Sequence, residues 1–128
     1  MITLTELSDL DSLPLSQPLK SFLNRHLIQL PFGTHENAQT SWNELENRLI
    51  LFDPKDSVYS TSTIPPIDSH LATIKSLIDY PEYVLNAPDS YCLALFIIDQ
   101  SGSGLYLLFP KPIHCPALTQ LANRAEDV

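Results

Sequence analysis

The sequence predicts an α+β fold. We expect a small mixed sheet of three strands, or four if a further short strand lies within residues 57–64, packed by about four helices and ending in a C-terminal β-hairpin. The first observation behind this is the run Tyr91–Ile98 (YCLALFII), apolar at nearly every position as in a strand buried on both faces. Next to it, residues 99–104 (DQSGSG) followed by Leu105–Phe109 read as a hairpin loop and its returning strand. Between these β signals, apolar residues recur at helical spacing in several separate segments.

At the N-terminus, Leu4, Leu7, Leu10 and Leu13 recur every three residues among Glu6, Asp9 and Asp11. On a helix that spacing makes one slowly drifting apolar stripe. Residues 1–15 are short for an isolated helix in water, so the segment has to dock, on its own core or on a partner. A helix follows from about Gln17 to Leu30. Ser16 caps it, Pro18 suits its first turn, and Leu19, Phe22, Leu23, Leu27 and Leu30 make its apolar face. Pro31-Phe32-Gly33 ends it, and residues 31–40 read as a loop. Ser41-Trp42-Asn43-Glu44 has the form of a capping box opening a short helix over 42–47, before Arg48–Phe52 turns to a strand pattern.

Residues 54–67 are rich in Ser, Thr and Pro and form a long loop. Asp68 caps a helix over 69–79, with Leu71, Ile74, Leu77 and Ile78 inward. Residues 80–85 add one more turn before Pro88. After the hairpin, Pro116–Ala125 makes the last helix, packing through Leu118, Leu121 and Ala122. A right-handed crossover through the helix at 69–79 would pair strand 48–52 with strand 91–98 in parallel.

A chain of 128 residues is near the usual size of one domain, and 44% hydrophobic with 17% charged residues is a globular composition. The N-terminus lacks the basic and apolar regions of a secretory leader, and no stretch approaches the ~20 apolar residues of a membrane span, so a cytoplasmic location is expected. Cys92 inside its apolar run and Cys115 in a Pro-flanked loop fit reduced thiols. The formal charge is −8, from 15 acidic against 7 basic residues. Lys20, Arg25, Arg48, Lys55, Lys75, Lys111 and Arg124 are scattered singly, which disfavours nucleic acid and anionic membranes as ligands. The acidic balance suits solubility, or attraction to a basic protein partner.

Signals for chemistry are weak. With strands 48–52 and 91–98 parallel, Asp53 and Asp99 would end them at one edge of the sheet, where two carboxylates can share a divalent cation or divide acid and base roles. Aspartate at a strand end is more commonly a turn residue whose side chain bonds the backbone. Ser101–Gly104 lacks the helix and lysine of a phosphate loop, and a tight hairpin explains its glycines. His114-Cys115 lacks a second ligand pair at zinc spacing. His26, His35 and His70 stand singly. No pattern implies a cofactor, and none fixes an oligomeric state.

The aromatic residues carry more. Tyr80 and Tyr83 flank Asp79 and Glu82, an acidic-aromatic patch, and Trp42 stands near a helix end. Interfaces use such residues as anchors. A short acidic α+β chain of this kind resembles small bacterial or phage proteins that act by binding another protein, such as immunity proteins against toxins and phage-borne inhibitors of host defence. That resemblance implies a non-enzymatic protein that binds and inhibits or neutralises a more basic one; it transfers no residues, and Asp79, Tyr80, Glu82, Tyr83 and Trp42 are the contact residues that the aromatic and acidic pattern itself suggests. The alternatives are a small metal-dependent hydrolase on Asp53 and Asp99, and an adaptor docking through residues 1–15.

Overall fold

The structure is a computed structural model that describes residues 2–52, 81–97, 104–111 and 116–126. In chain order its elements are strand β1 (Ile2–Leu4), a 3-10 turn (Leu7–Ser12), helix α1 (Gln17–Asn24) continued by a π-helical turn (Arg25–Gln29) and a last α turn (Leu30–Phe32), and helix α2 (His35–Leu45). Strands β2 (Arg48–Leu51), β3 (Tyr83–Ala87), β4 (Tyr91–Ile97) and β5 (Gly104–Pro110) follow, with helix α3 (Pro116–Ala122) last. The strands form one five-stranded mixed sheet in the order β1-β2-β5-β4-β3. The fold is α+β, as the sequence predicts, with β1 and β3 added at the two edges.

The partner of β2 differs from the expected one. It runs parallel to β5, and β4 lies antiparallel on the other side of β5. The sequence of β5 explains this, since all seven residues of GLYLLFP are buried and a strand so apolar needs a neighbour on each side. The register has a consequence for the proposed aspartate pair. Leu51, at the end of β2, is level with Leu108 and hence with Leu93, whereas Ile97, at the end of β4, is level with Gly104. β2 and β4 therefore leave the sheet at opposite ends, and the premise that placed Asp53 beside Asp99 does not hold. Both aspartates lie outside the described residues, as do the 54–67 loop, the helix expected over 69–79, Asp79, Tyr80, His114 and Cys115.

The leucine triplet spacing takes a different local form from the expected helix. Thr3 and Leu4 pair with β2, and the chain then makes a 3-10 turn, whose period of three residues stacks Leu7, Leu10 and Leu13 on one edge. These leucines and Leu4 are buried in the chain's own core, and the Leu7 N–H donates to Gln39 Oε1 at 2.7 Å. The stripe considered for adaptor docking is thus used within the fold.

Helix α1 starts where its cap predicts, with Ser16 Oγ accepting from the Leu19 N–H at 3.4 Å. Its far end is altered by Pro31, which has no N–H to give Leu27 and whose ring would crowd that carbonyl in an α-helix. The helix widens: the Leu30 N–H donates to the Arg25 carbonyl, five residues back. The wider turn rotates the apolar face, so that Leu19, Leu23, Leu27 and Ile28 are buried and Leu30 is 63% exposed. Gly33, at φ +81°, closes the helix with its N–H shared between the Ile28 and Gln29 carbonyls.

Helix α2 begins well before the expected start, inside the segment read as a loop. Thr34 is its cap, accepting from the Asn37 N–H at 3.2 Å, and Ser41-Trp42-Asn43-Glu44 lies within the helix. Its apolar stripe is only Ala38 and Trp42, too sparse to give a helical period. Of the turn expected over 80–85, Tyr83 onward is instead the start of β3, while Tyr80 lies outside the described residues. The residue before Pro88 is pushed toward extended backbone, and β4 supplies main-chain partners for residues 83–87. Helix α3 is shorter than expected, ending at Ala122. Glu126 then turns back onto the outer edge of β3, its N–H donating to the Val84 carbonyl and its carbonyl accepting from the Asn86 N–H, both at 2.9 Å. This covers part of an edge that would otherwise offer free backbone groups.

The sheet separates two apolar clusters by strict alternation. Ile50, Phe52, Val84, Cys92, Ala94, Phe96, Leu105, Leu107 and Phe109 pack with Leu118 and Leu121 of α3. Leu49, Leu51, Leu93, Tyr106 and Leu108 pack on the other face with the N-terminal leucines, α1 and α2. β4 is therefore an interior strand, but the expected burial holds throughout on one face only: Cys92, Ala94 and Phe96 are buried, whereas on the other face Leu93 is buried, Tyr91 and Leu95 are half-buried and Ile97 is exposed. Gly104 opens β5 against Asn47, whose Oδ1 accepts the glycine N–H at 2.5 Å, and an added Cβ would lie 3.2 Å from that oxygen. That close approach, rather than phosphate binding, accounts for this glycine.

Glu46 (φ 55°) ends α2 in left-handed backbone, and so do Asp89 (φ 60°) and Ser90 (φ 63°) in the turn between β3 and β4. Glu46 and Ser90 are exposed, so glycine removes strain there without removing packing. Glu46→Gly and Ser90→Gly are each expected to raise the unfolding free energy by about 0.5–1 kcal/mol, net of the entropy that glycine adds to the unfolded chain. A urea midpoint below that of the parent chain would contradict the strain argument.

Candidate functional site

Among the described residues, the helical layer does not cover the whole sheet. Over β3 and β4 the face that carries Tyr83, Leu85, Tyr91 and Leu95 is only half-buried, and Ile97 on the same face is 38% exposed. Between this face and the π-helical end of α1 runs a groove of about 480 Å³. Leu85, Leu95, Tyr83 and Tyr106 form the sheet side. His26, Leu30 and Pro31 form the helix side. The widened turn makes the groove in two ways: it points Leu30 outward as a rim, and it places His26 over the sheet. π-helical insertions of this kind are found frequently at functional sites.

Few polar groups face this apolar lining. Tyr83 and Tyr106 both line the groove, and burial raises both phenols above the usual tyrosine value. The His26 ring packs 4.3 Å from the Phe22 ring, tilted by 44°, and its buried Nε2 has no hydrogen-bond partner. Burial, with the Arg25 charge adding to it, lowers the His26 pKa from the ordinary 6.5. The neutral ring is therefore the working form near neutral pH.

This shift has a consequence for stability. A histidine whose folded pKa lies below its unfolded value binds more protons when unfolded, so its contribution to stability is present above pH 6.5 and is lost as the pH falls through the folded value. The urea midpoint is expected to fall as the pH drops below 6.5, and to fall less steeply in His26→Gln. Equal slopes for the two chains would remove His26 as the source.

The sequence-predicted contact residues divide. Tyr83 lines the groove and Glu82 is exposed beside it. Trp42 is a correction. It is 1% exposed, packs four residues from Ala38 on the inner face of α2, and stacks on Tyr106 at 5.7 Å and 10° between rings. A side chain so buried cannot act as a surface anchor. Asp79 and Tyr80 lie outside the described residues. Sequence reasoning missed His26, read as a lone residue, and Leu30, assigned to the packing face. The available signal was Leu30-Pro31 at the end of a long apolar helix, where an α-helical register cannot continue undisturbed.

Other features are less developed. A polar depression on α1 brings Lys20 and Arg25 near Asp11, with Lys20 Nζ donating to the Asp11 carbonyl at 2.6 Å. Cys92 is a buried free thiol whose pKa is raised by burial, so it is a poor nucleophile. Among the described residues no group of three or more His, Cys, Asp or Glu is placed to hold a metal ion, and no helix is long and apolar enough to cross a membrane. Comparison of the chain with family models, curated proteins and solved structures finds no match.

Proposed function

We propose that this chain is a small acidic binding protein that inhibits or neutralises a more basic protein, in the manner of immunity proteins and phage-borne inhibitors of host defence, and that it engages its partner over the groove between α1 and strands β3 and β4. The observation that carries this reading is Leu30, a large apolar side chain 63% exposed at the rim of an apolar groove. Exposed apolar patches rimmed by polar residues mark contact sites. Tyr83 supplies the aromatic surface that interfaces favour, and Glu82 with the net charge of −8 supplies attraction toward a positive patch.

The test begins with capture of the partner from the cells that make the chain, followed by rate measurements on the purified pair. Association is expected to slow as salt rises, because screening acts on the approach. Glu82→Lys is expected to slow association several-fold at low salt and to leave dissociation nearly unchanged. A partner with an acidic surface, or an association rate indifferent to salt, would overturn the electrostatic part of the reading.

A further inference from the structure

We propose that the groove is acid-sensitive through His26: on protonation the ring withdraws from the helix wall, the groove loses that part of its lining, and docking weakens. The effect on docking rests on the reading of the groove as the contact site, whereas the withdrawal is a property of the isolated chain. The buried Nε2 of His26 has no hydrogen-bond partner among the described residues. On a neutral imidazole one of the two nitrogens carries no proton, so an unpaired Nε2 need be no more than a spare lone pair. Protonation makes both nitrogens N–H donors. A donor on a charged ring, buried without an acceptor, is strongly unfavourable.

The surroundings of the ring resist a cation. Leu30, Pro31, Leu85 and Leu95 line the groove with it, and the two tyrosines there stay neutral in acid because burial raises both. Its neighbour on the same turn is Arg25, whose charge opposes a second one. Helix α2 packs against this turn and carries His35, Glu36 and Glu44, all exposed to solvent. Those carboxylates do not outweigh burial and Arg25, since the balance at His26 disfavours the protonated form. The Phe22 ring, 4.3 Å away, attracts a cation, but such contacts are weak where water competes. The least costly response is for the ring to turn its Nε2 into solvent. His26 is only half-buried, so the way out is short. Leu27 and Ile28 on the same turn are buried in the core and hold the backbone, which confines the change to the groove side.

The experiment is an NMR titration of the whole chain with acid, following the His26 ring protons and the methyl signals of Leu30, Leu85 and Leu95. The ring is expected to titrate with a midpoint below the ordinary 6.5, and the nuclear Overhauser contact between the His26 and Phe22 rings should be lost through that midpoint. The three groove methyls should shift with it, while Leu107 and Leu121, in the cluster on the opposite face of the sheet, stay still. His26→Phe, flat and unable to take a proton, should abolish the methyl shifts. His26→Gln, neutral and smaller, should do the same and guards against repacking by the larger ring. A Phe22 contact that persists in the protonated state, or methyl shifts unchanged in both variants, would overturn the proposal. With the captured partner, Kd is expected to rise several-fold between about pH 7.5 and about pH 5.5 for the parent chain, and less for His26→Phe, the partner's own titration being common to both. If the ring withdraws but the two chains show the same pH dependence of Kd, the withdrawal stands and the docking reading falls. If Leu30→Gln weakens the complex while the ring stays on Phe22 in acid, the docking reading stands and the acid sensitivity falls.

Discussion

Trp42→Ala is expected to destabilise the chain by about 3–5 kcal/mol, a large part of the ~5–15 kcal/mol that a domain typically has. The indole is buried between α2 and the sheet and stacks on Tyr106, so truncation leaves a cavity behind the ring that floors the groove. Tyr106 also lines the groove with Tyr83, and the loss should loosen that side of the groove along with the core. Trp42→Phe is the informative companion. The indole Nε1 has no hydrogen-bond partner, so phenylalanine keeps an aromatic ring for stacking and gives up no hydrogen bond. Its loss should be clearly smaller than that of alanine. Urea unfolding of the three chains measures both effects. An unchanged midpoint in Trp42→Ala would mean that the residue belongs to a surface rather than to the core.

What the sequence shows of this fold depends on how local the cause is. Tyr91–Ile97 and Leu105–Phe109 are legible as inner strands because their apolar runs are written into the residues themselves, although only β5 is buried on both faces throughout. The cap at Ser16 is legible because serine and proline act within one turn. The partner of β2 is not legible, since choosing between β4 and β5 depends on long-range packing that pattern does not encode. β3 is obscured because Tyr83–Ala87 is short and half-buried, and becomes extended only with β4 beside it. Helix α2 is hidden by its polar composition, with two buried residues in its length. For the site, Glu82 and Tyr83 could be found as an acidic-aromatic neighbour pair. His26 and Leu30 could not, because their roles follow from a widened helical turn that rotates one side chain over the sheet and the other to solvent.

That rotation underlies the most direct test of the interface. Leu30→Gln is expected to leave the stability of the isolated chain within about 0.5 kcal/mol of the parent, because the side chain is largely in solvent and glutamine suits a helix. Its effect on the partner complex should be large. A leucine that moves from solvent into the centre of an interface gives up its whole apolar surface to the partner, and truncating such an anchor costs about 2 kcal/mol, or roughly 30-fold in Kd. Because the substitution carries no charge, the loss should fall on the dissociation rate, with the salt dependence of association unaltered. Glu82→Lys should show the opposite signature. The two variants together separate steering from anchoring on a surface where both are proposed. A Leu30→Gln complex that dissociates at the parent rate would place the interface elsewhere on the molecule, and would leave the exposed leucine as a by-product of the proline that follows it.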